Sequence, residues 1–250
     1  KMQIEIISKK IKYKLKRIYS KIFSYPVYKY SKGSSNKYWQ TRKKSYLKIT
    51  PNDFQIIRAL IIKKSIPNDD DSILFDIGSG DGAQLIEIRK NNPYLSIFAS
   101  DKDPYAIALT KKLKFKTYKL GSENDIFSIL EEIKPNYISI FEVLEHMSSP
   151  EEFLLKILNL SNNKIFFSVP NSGYINHRLR FLFGRFPLQW IASPKEHLRF
   201  WTYKDMQWWL RCLQLFETSK IIPYKGMPFI NKIFPNLFSE GILVIINNNN

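Results

Sequence analysis

Cysteine, histidine and long apolar stretches are all scarce in this 250-residue sequence. The single cysteine, Cys212, excludes an intramolecular disulfide and a zinc site built from several cysteines. Because Cys212 falls in a helical apolar pattern, we expect it in the core. The sequence has no apolar run of about 18 residues and no signal-peptide pattern. We therefore expect no membrane-spanning segment and no export, and a cytoplasmic location.

Charge is abundant but unevenly distributed. The formal net charge is +17, and residues 1–68 alone hold 18 Lys and Arg against only Glu5 and Asp53. The remaining 182 residues carry 21 basic and 20 acidic side chains, which leaves them nearly neutral. A basic surface for an anionic partner is therefore expected in the N-terminal segment and not in the rest of the chain.

The start of that segment has the pattern of a basic amphipathic helix over residues 4–23. Its apolar positions, at steps of three and four, are Ile4, Ile7, Ile11, Leu15, Ile18 and Ile22. Such a helix can lie on an anionic membrane, follow a phosphate backbone, or cap the domain by packing its apolar stripe on the core. We divide the chain into a basic helical arm with its linker, residues 1–68, and a main domain, residues 69–250.

From residue 72 onward, β-rich apolar runs alternate with helical patterns, which predicts repeated βα units and a mainly parallel sheet. The predicted strands are 73–77, 95–100, 115–120, 137–141, 164–169, 218–222 and 241–246. Helix starts are predicted at Asp103, at Ser149 with a capping box, and at Thr202. The predicted fold class is α/β, a Rossmann-like, doubly wound, seven-stranded and mainly parallel sheet with helices on both faces.

Glycines follow the first predicted strand at alternate positions: Gly78, Gly80 and Gly82. A dinucleotide loop would instead have G-x-G-x-x-G spacing and hold a pyrophosphate. Asp76, just before the turn, would repel a diphosphate and attract the ammonium of a methionine moiety. Asp101 lies 21 residues beyond Gly80, the spacing at which a carboxylate can accept ribose hydroxyls. Ser122 follows the third strand, where a polar side chain meets an adenine edge in such folds.

These motifs resemble those of class I S-adenosylmethionine-dependent methyltransferases, and the resemblance covers about residues 72–246. The strings that carry it are D-I-G-S-G-D-G at 76–82, E-V-L-E-H at 142–146 and S-V-P-N at 168–171. The last two strings, with H-L-R-F-W-T at 197–202, resemble quinone-biosynthesis O-methyltransferases. The segments 170–187 and 234–238 resemble MetW-type methyltransferases. The resemblance implies methyl transfer to a small-molecule or lipid- or glycan-linked acceptor, at an oxygen nucleophile.

By this resemblance, S-adenosylmethionine is the cofactor, its ribose lies at Asp101 and its adenine amine at Ser122. The implied cofactor-binding residues are Asp76, Gly78, Ser79, Gly80, Asp101, Lys102, Ser122 and Phe141. Phe141 and Glu142 lie on the side nearest the transferable methyl group. The family usually has aspartate where this chain has Ser122, and a hydroxyl accepts a hydrogen bond more weakly than a carboxylate.

Methyl transfer from a sulfonium needs alignment of nucleophile, carbon and sulfur, but a hydroxyl acceptor also needs a base or a cation. The candidate catalytic residues are His146, His197 and Glu142. In one interpretation His146 or His197 is a general base. In a second, Glu142, Glu145, His146 and His197 bind a divalent metal, as the resembling small-RNA 2′-O-methyltransferases imply. In a third, these side chains only shape the loop.

The segment 174–201 has the composition of a substrate lid, because arginines alternate with aromatic residues. These residues are Arg178, Arg180, Phe181, Phe183, Arg185, Phe186, Trp190, Arg199 and Phe200. A planar or anionic acceptor would suit them, although the same segment can simply pack a helix on the sheet. Trp208 and Trp209, in the following helix, are expected in the core.

The partner we expect is a small-molecule or lipid-linked substrate, with residues 4–23 in peripheral contact with the inner membrane surface. An alternative function is methylation of nucleic acid, with the basic arm bound to phosphates. A third hypothesis is a non-catalytic accessory protein that keeps the methyltransferase fold.

Overall fold

The computed structural model describes residues 12, 13, 15, 16, 19–25, 49–67, 72–160, 164–188, 190 and 197–248. The strands are β1 (Ile73–Ile77), β2 (Ser96–Asp101), β3 (Lys116–Lys119), β4 (Tyr137–Phe141), β5 (Lys164–Pro170), β6 (Ser219–Tyr224) and β7 (Gly241–Asn247). They form one sheet in the order β3-β2-β1-β4-β5-β7-β6. Only β7 runs antiparallel to its neighbours, β5 and β6. The predicted fold class and all seven predicted strands are confirmed.

The strand order places a crevice at the carboxyl edge of the sheet. The chain builds outward from β1 to β3, then crosses to β4 and β5 on the other side of β1. At such a reversal, the loops after neighbouring strands separate and leave room for a ligand. The loops after β1, β2 and β4 therefore meet at the point where the cofactor was predicted to bind.

Helices cover both faces of the sheet, and two separate apolar clusters fill the space beneath them. The helices are α1 (Asp53–Ser65), α2 (Ala83–Asn91), α3 (Pro104–Lys112), α4 (Glu123–Ile133), α5 (Pro150–Leu158), α6 (Ile175–Leu182), α7 (Tyr203–Cys212), α8 (Ile230–Ile233) and α9 (Pro235–Phe238), with a 3-10 helix at Leu144–His146. All residues of β4 are buried, which is typical of a parallel strand covered on both faces.

Two of the three predicted helix caps are confirmed. The Asp103 side chain accepts hydrogen bonds from the first backbone N–H groups of α3. Thr202 and Asp205 form both bonds of a capping box at the start of α7, at 3.2 and 2.9 Å. The predicted capping box at Ser149 is wrong. Ser149 makes no side-chain capping bond, because its backbone, at ψ 65°, is not in the extended conformation that such a cap requires.

Helix α1 belongs to the packed core although it lies in the basic N-terminal segment. Ala59 and Ile62 are fully buried against the sheet. The helix begins with a capping box between Asn52 and Gln55. Arg58, on the same helix, is also buried and points toward the carboxyl edge, where it contacts Glu142.

Two predictions on helix α7 are wrong. Trp208 is 63% exposed and Cys212 is also exposed, whereas Met206, Trp209 and Leu210 face the sheet. At 100° per residue, the buried positions share one side of the helix and the two exposed positions lie on the opposite side. This helix therefore has apolar residues outside the face that it buries against the sheet. The expectation for Trp209 is confirmed.

The described end of the N-terminal arm docks on helix α6. Ile22 is buried, and the guanidinium Nη1 of Arg180 donates to the carbonyls of Lys21, Ile22 and Ser24 at 3.2, 2.9 and 2.9 Å. A basic side chain that binds the last carbonyls of a helix caps its C-terminal end. This end of the arm therefore packs on the domain, while most of residues 4–23 and the linker lie outside the described residues.

No helix in the part of the chain that the structure describes combines the length and apolar character needed to span a membrane.

Candidate functional site

The glycine turn after β1 uses its own N–H groups to bind the neighbouring strand. The N–H groups of Gly78 and Ser79 both donate to the carbonyl of Ser100, at 2.8 and 2.9 Å. Gly78 has a φ of 79°, and a Cβ there would overlap the side chain of Val143. A phosphate-binding turn needs such N–H groups free for the ligand, so this turn is unsuited to a diphosphate. The turn is instead close-packed against β2 and the loop after β4.

Asp101 ends β2 and holds the next part of the turn. Its two oxygens accept one backbone N–H each, from Gly80 at 2.9 Å and from Asp103 at 2.8 Å. Burial raises the pKa of Asp101 above its ordinary value, although these two hydrogen bonds oppose the shift. Each carboxylate oxygen has a second lone pair that can accept from a diol. Asp101 is therefore oriented by the protein for a bidentate acceptor role, and Lys102 beside it is exposed.

Asp76, on β1 two residues before Gly78, is buried. The hydroxyl of Ser139 on β4 donates to it at 2.5 Å. Burial raises the pKa of Asp76 to about 7, while the Ser139 hydrogen bond and the positive charge of Arg58 oppose the shift. A nearby cation would favour the ionised form of this buried carboxyl, because opposite charges attract strongly where little solvent is present. The site is therefore suited to bind a cationic group.

Arg58 organises a polar network that sequence patterns did not single out. Its Nη1 donates to Glu142 at 3.1 Å and to Ser168 at 3.0 Å, and its Nε donates to Gln84 at 3.1 Å. The Ser168 hydroxyl donates to the same Glu142 oxygen at 2.7 Å. Arg58, Gln84, Glu142 and Ser168 are up to 110 residues apart in the chain. No local spacing could have predicted their contact.

Glu142 was predicted to share a face with Glu145 and His146, but it belongs mainly to this network. Its φ of 56° ends β4 in a left-handed turn, and the 3-10 helix begins only at Leu144. The expected helical i, i+3, i+4 face is therefore not formed. Glu142 lies next to Phe141, whose ring is buried beneath the Arg58 guanidinium at 5.2 Å.

Ser122, the predicted adenine contact, caps helix α4. Its hydroxyl donates to Asp125 at 2.8 Å, and its N–H donates to the same carboxylate at 3.1 Å. The N–H of Gly121 donates to Asp125 at 2.6 Å, and these three bonds lower the pKa of Asp125. Ser122 is exposed at the end of the β3 loop, with hydroxyl lone pairs that remain available to accept a hydrogen bond.

Glu145, His146 and His197 form a compact cluster at the same edge of the sheet. One ligand atom from each lies within 4.8 Å of the others, and the two imidazole rings meet edge to face at 4.8 Å between centroids. The backbone carbonyl of Glu145 accepts the N–H groups of Leu198 and Arg199, which holds the loop of His197 in place. Three of the four predicted metal ligands are thus brought together.

In this cluster the pKa of a buried carboxyl is raised and the pKa of an imidazole is lowered. Glu145 is 1% exposed, neither of its carboxyl oxygens accepts a hydrogen bond from any described residue, and its Oε1 lies 3.9 Å from the Nε2 of His146. Burial and the charge of Glu142 raise the pKa of Glu145. Burial, with the charge of His146, lowers the pKa of His197 to about 4. An unsatisfied buried carboxyl beside a neutral imidazole is a donor set suited to a cation.

A cavity of about 310 Å³ opens beside Glu142. Its lining residues are Lys21, Phe54, Glu142, Pro170, Tyr174, Asn176, His177, Arg180, Leu188, Tyr224, Glu240 and Gly241. Burial, with the charges of Arg180 and Lys21, lowers the pKa of His177 to about 4. Burial and Glu240 raise the pKa of Tyr174 to about 12. The cavity therefore presents a neutral imidazole and protonated phenols, which can orient a hydroxyl-bearing molecule.

A family model described as a methyltransferase domain matches residues 52–215, which is well over half of the chain. The match begins at the cap of helix α1 and so includes Arg58 as well as the glycine turn. It also includes the loop of His197. No curated protein sequence matches the chain.

Solved structures with the same architecture differ widely in sequence. A SAM-dependent methyltransferase from Archaeoglobus fulgidus has a TM-score of 0.54 and 16% identity, over 77% of this chain and 94% of that one. The plantazolicin methyltransferase BpumL, in complex with SAH, has a TM-score of 0.56 and 17% identity, over 98% and 100%. A methyltransferase in complex with the Haloferax volcanii activator Trm112 has a TM-score of 0.58 and 12% identity, over 88% of this chain and 100% of that one. At these identities the likeness establishes the fold, and the acceptor must be inferred from the site.

Proposed function

Because the chain belongs to the methyltransferase-domain family and is a class I S-adenosylmethionine-dependent methyltransferase, we propose that it methylates an oxygen nucleophile on a small-molecule or lipid-linked acceptor. The observation that carries this proposal is the cavity beside Glu142, with its neutral His177 and its tyrosine hydroxyls. A volume of about 310 Å³ suits the reacting end of such an acceptor.

The residues of the glycine turn fit the cofactor. The Ser79 hydroxyl is buried with no partner among the described residues, which is expected of a group that a ligand satisfies. In our proposal Asp101 accepts the ribose hydroxyls, and the buried carboxylate of Asp76 faces the ammonium of the methionine part. Phe141 and Glu142 then border the sulfonium, and Ser122 accepts from the adenine amine.

The reaction balances without a covalent enzyme intermediate. The acceptor oxygen attacks the methyl carbon while the carbon–sulfur bond breaks, which gives the methylated acceptor and S-adenosylhomocysteine. In our proposal the hydroxyl proton passes to the carboxylate of Glu142, which lines the cavity. His177 is neutral at physiological pH and lines the cavity, so we assign it the role of orienting that hydroxyl. Arg58 fixes the position of Glu142 in the same cavity.

A metal-assisted version of this function is favoured by the cluster of Glu145, His146 and His197. Its unsatisfied buried carboxyl and its neutral imidazole fit a divalent ion such as manganese, zinc or iron. When bound, such an ion would lower the pKa of a coordinated hydroxyl. In this version His146 and His197 act as ligands and not as general bases.

The test combines a methyl-transfer screen with matched variants. Purified protein is incubated with labelled cofactor and with phenols, sugars or lipid extracts, and transfer to an acceptor is measured. His177→Asn should lower the rate at saturating cofactor at least tenfold and leave cofactor affinity unchanged. An exposed polar residue away from the site, Gln214, provides the control Gln214→Ala. Transfer that is insensitive to His177→Asn would contradict the role of this cavity.

The metal version has its own readout. The doubly substituted His146→Ala/His197→Ala protein should lose bound manganese or zinc in elemental analysis, whereas the His177→Asn protein should retain it. Equal metal content in the two proteins would contradict the cluster as a metal site.

Two other hypotheses predict different results in the same screen. Methylation of nucleic acid predicts polynucleotide affinity that falls steeply with salt and is lost when arm lysines are replaced by glutamine. An accessory role predicts bound cofactor with no transfer to any acceptor. Either result would replace our proposal.

A further inference from the structure

The connection between β6 and β7 turns a row of apolar side chains outward. We call Met227, Phe229, Ile230, Ile233 and Phe234 the apolar ridge. Phe229 is 83% exposed, Ile233 is 70% exposed and Phe234 is 60% exposed. Large apolar side chains that are contiguous and this exposed are uncommon on a protein surface and mark interaction sites.

The ridge is held in this outward arrangement by its polar neighbours. Asn231 is the one buried residue between positions 227 and 234, and the Asn231 amide donates to the carbonyl of Lys225 at 2.9 Å. The N–H of Met227 donates to the carbonyl of Phe238 at 3.0 Å. Phe229 has a φ of 65°, a conformation that is costly for a bulky residue. A segment that buries its asparagine and exposes a strained phenylalanine is organised for an external contact.

The ridge lies at the same edge of the sheet as the candidate site. Tyr224, the last residue of β6, pairs with Gly241, the first residue of β7, and Gly241 pairs with Pro170 at the carboxyl end of β5. Tyr224, Glu240 and Gly241 also line the cavity. The connection that carries the ridge therefore borders the mouth of the cavity.

Before Glu240, the charged side chains in the connection from β6 to β7 are lysines, and one of them, Lys225, is paired with Asp53 of α1 at 3.3 Å. Between Glu217 and Glu240 the sequence contains three lysines and no acidic residue. The end of the basic arm is close by, because Lys21 lines the same cavity as Glu240. Residues 1–68 hold 18 basic side chains against two acidic ones. Exposed apolar side chains with the exposed Lys232 among them and the basic Lys21 nearby match the headgroup region of an anionic membrane.

We propose that the apolar ridge inserts into an anionic lipid surface, with Lys21 and Lys232 at the headgroups and the mouth of the cavity turned toward the bilayer. This surface goes beyond the proposed function. It can be tested without any acceptor, so its failure would be distinct from failure of methyl transfer.

The first experiment reports on the ridge separately from the arm. In the full chain with Cys212→Ser, a single cysteine is introduced by Phe229→Cys and labelled with an environment-sensitive dye. The matched control is Tyr94→Cys, which is 63% exposed before β2, at the opposite edge of the sheet. With vesicles of phosphatidylglycerol and phosphatidylcholine, the dye at position 229 should shift to the blue and the dye at position 94 should not. No shift at position 229 would overturn the proposal.

The second experiment measures affinity. Phe229→Ser/Ile233→Ser should lower partition into these vesicles at least tenfold, whereas Tyr94→Ser should change it less than twofold. Partition of the parent protein should fall at least tenfold in pure phosphatidylcholine. Vesicle binding that is unaffected by the double substitution would overturn the proposal. So would a ridge-dependent dimer, or ridge-dependent binding to a polynucleotide, without binding to vesicles.

Discussion

The two halves of the sheet edge are built in different ways. On the side of β1 to β3, Asp76, the glycine turn and Asp101 lie within 26 residues of one another and hold each other through backbone hydrogen bonds. On the side of β4 to β7, the cavity draws residues from Lys21 to Gly241. The first half is specified by short motifs, and the second by tertiary packing. A cofactor shared by a whole family can use such a fixed local frame, whereas an acceptor specific to one enzyme requires a surface that can vary.

The largest expected effect concerns the cofactor side. Asp101→Ala removes the acceptor of two backbone N–H groups and, in our proposal, of the ribose hydroxyls. Each charge-assisted hydrogen bond contributes roughly 1.5–3 kcal/mol, so cofactor affinity should fall by about 100-fold or more. Isothermal titration calorimetry measures it, with circular dichroism to establish folding. Glu131→Ala, an exposed acid on α4, is the control. Retained affinity in Asp101→Ala would refute the ribose assignment.

Asp76 gives a prediction in which stability and binding change in opposite directions. Because its pKa is about 7 in the fold and 3.8 for the unperturbed group, the folded state binds more protons between these values. Its contribution to the free energy of unfolding is therefore present below about pH 4 and is lost as pH rises through 7. Asp76→Asn keeps an oxygen that accepts the Ser139 hydroxyl but has no carboxyl to ionise, so this loss of stability as pH rises does not occur. At pH 8 the variant should therefore be more stable than the parent by roughly 2–4 kcal/mol.

Cofactor binding should show the reverse pattern. If Asp76 binds the ammonium of the cofactor, as we propose, its ionised form is needed, so the affinity of the parent protein should fall as pH drops below 7, by up to about tenfold per unit. Asp76→Asn should bind about 10-fold to 100-fold more weakly at pH 8 and should lose that pH dependence. Urea unfolding and calorimetry at pH 5, 6.5 and 8 measure both effects. A pH-independent affinity in the parent protein would exclude Asp76 as the ammonium partner.

Arg180 tests whether the arm and the cavity form one unit. Arg180→Gln loses the guanidinium that caps the arm through the carbonyls of Lys21, Ile22 and Ser24. Amide exchange over residues 19–25 should accelerate by at least about tenfold, since even one lost bond to a charged group costs roughly 1.5–3 kcal/mol. Cofactor affinity should stay unchanged. Arg89→Gln, which loses a similar bond to the carbonyl of Leu113, is the control and should leave the arm unaffected. Slow exchange in Arg180→Gln would contradict the docking role of this arginine.

Sequence patterns predicted the fold better than they predicted the site, and the two halves of the edge explain why. Strand period and glycine spacing are local, so β1 to β7 and the turn at Gly78 were found. Arg58 was missed because it lies in a helix that looked like part of the basic segment, and only packing brings it to Glu142. The spacing of Glu142, Glu145 and His146 predicted a shared helical face, which does not form because Glu142 has a left-handed φ of 56°. Burial of Arg180 depends on carbonyls more than 150 residues away.

The smallest expected effect is that of Tyr224→Phe, which tests whether the two halves of the sheet edge act independently. The Tyr224 hydroxyl donates to Glu142 at 3.4 Å, a long and therefore weak bond. Burial and the charge of Glu142 raise the pKa of Tyr224, so the phenol stays protonated and remains a donor throughout the working pH range. Tyr224→Phe keeps the ring that packs on Phe54 and removes only the hydroxyl. If the two halves of the edge act independently, KM for the acceptor should rise about twofold to threefold, which corresponds to less than about 1 kcal/mol, while cofactor affinity stays constant. Steady-state kinetics and calorimetry on the same preparation separate the two quantities. A parallel loss of cofactor affinity would show instead that the network of Arg58 and Glu142 couples the two halves into one site.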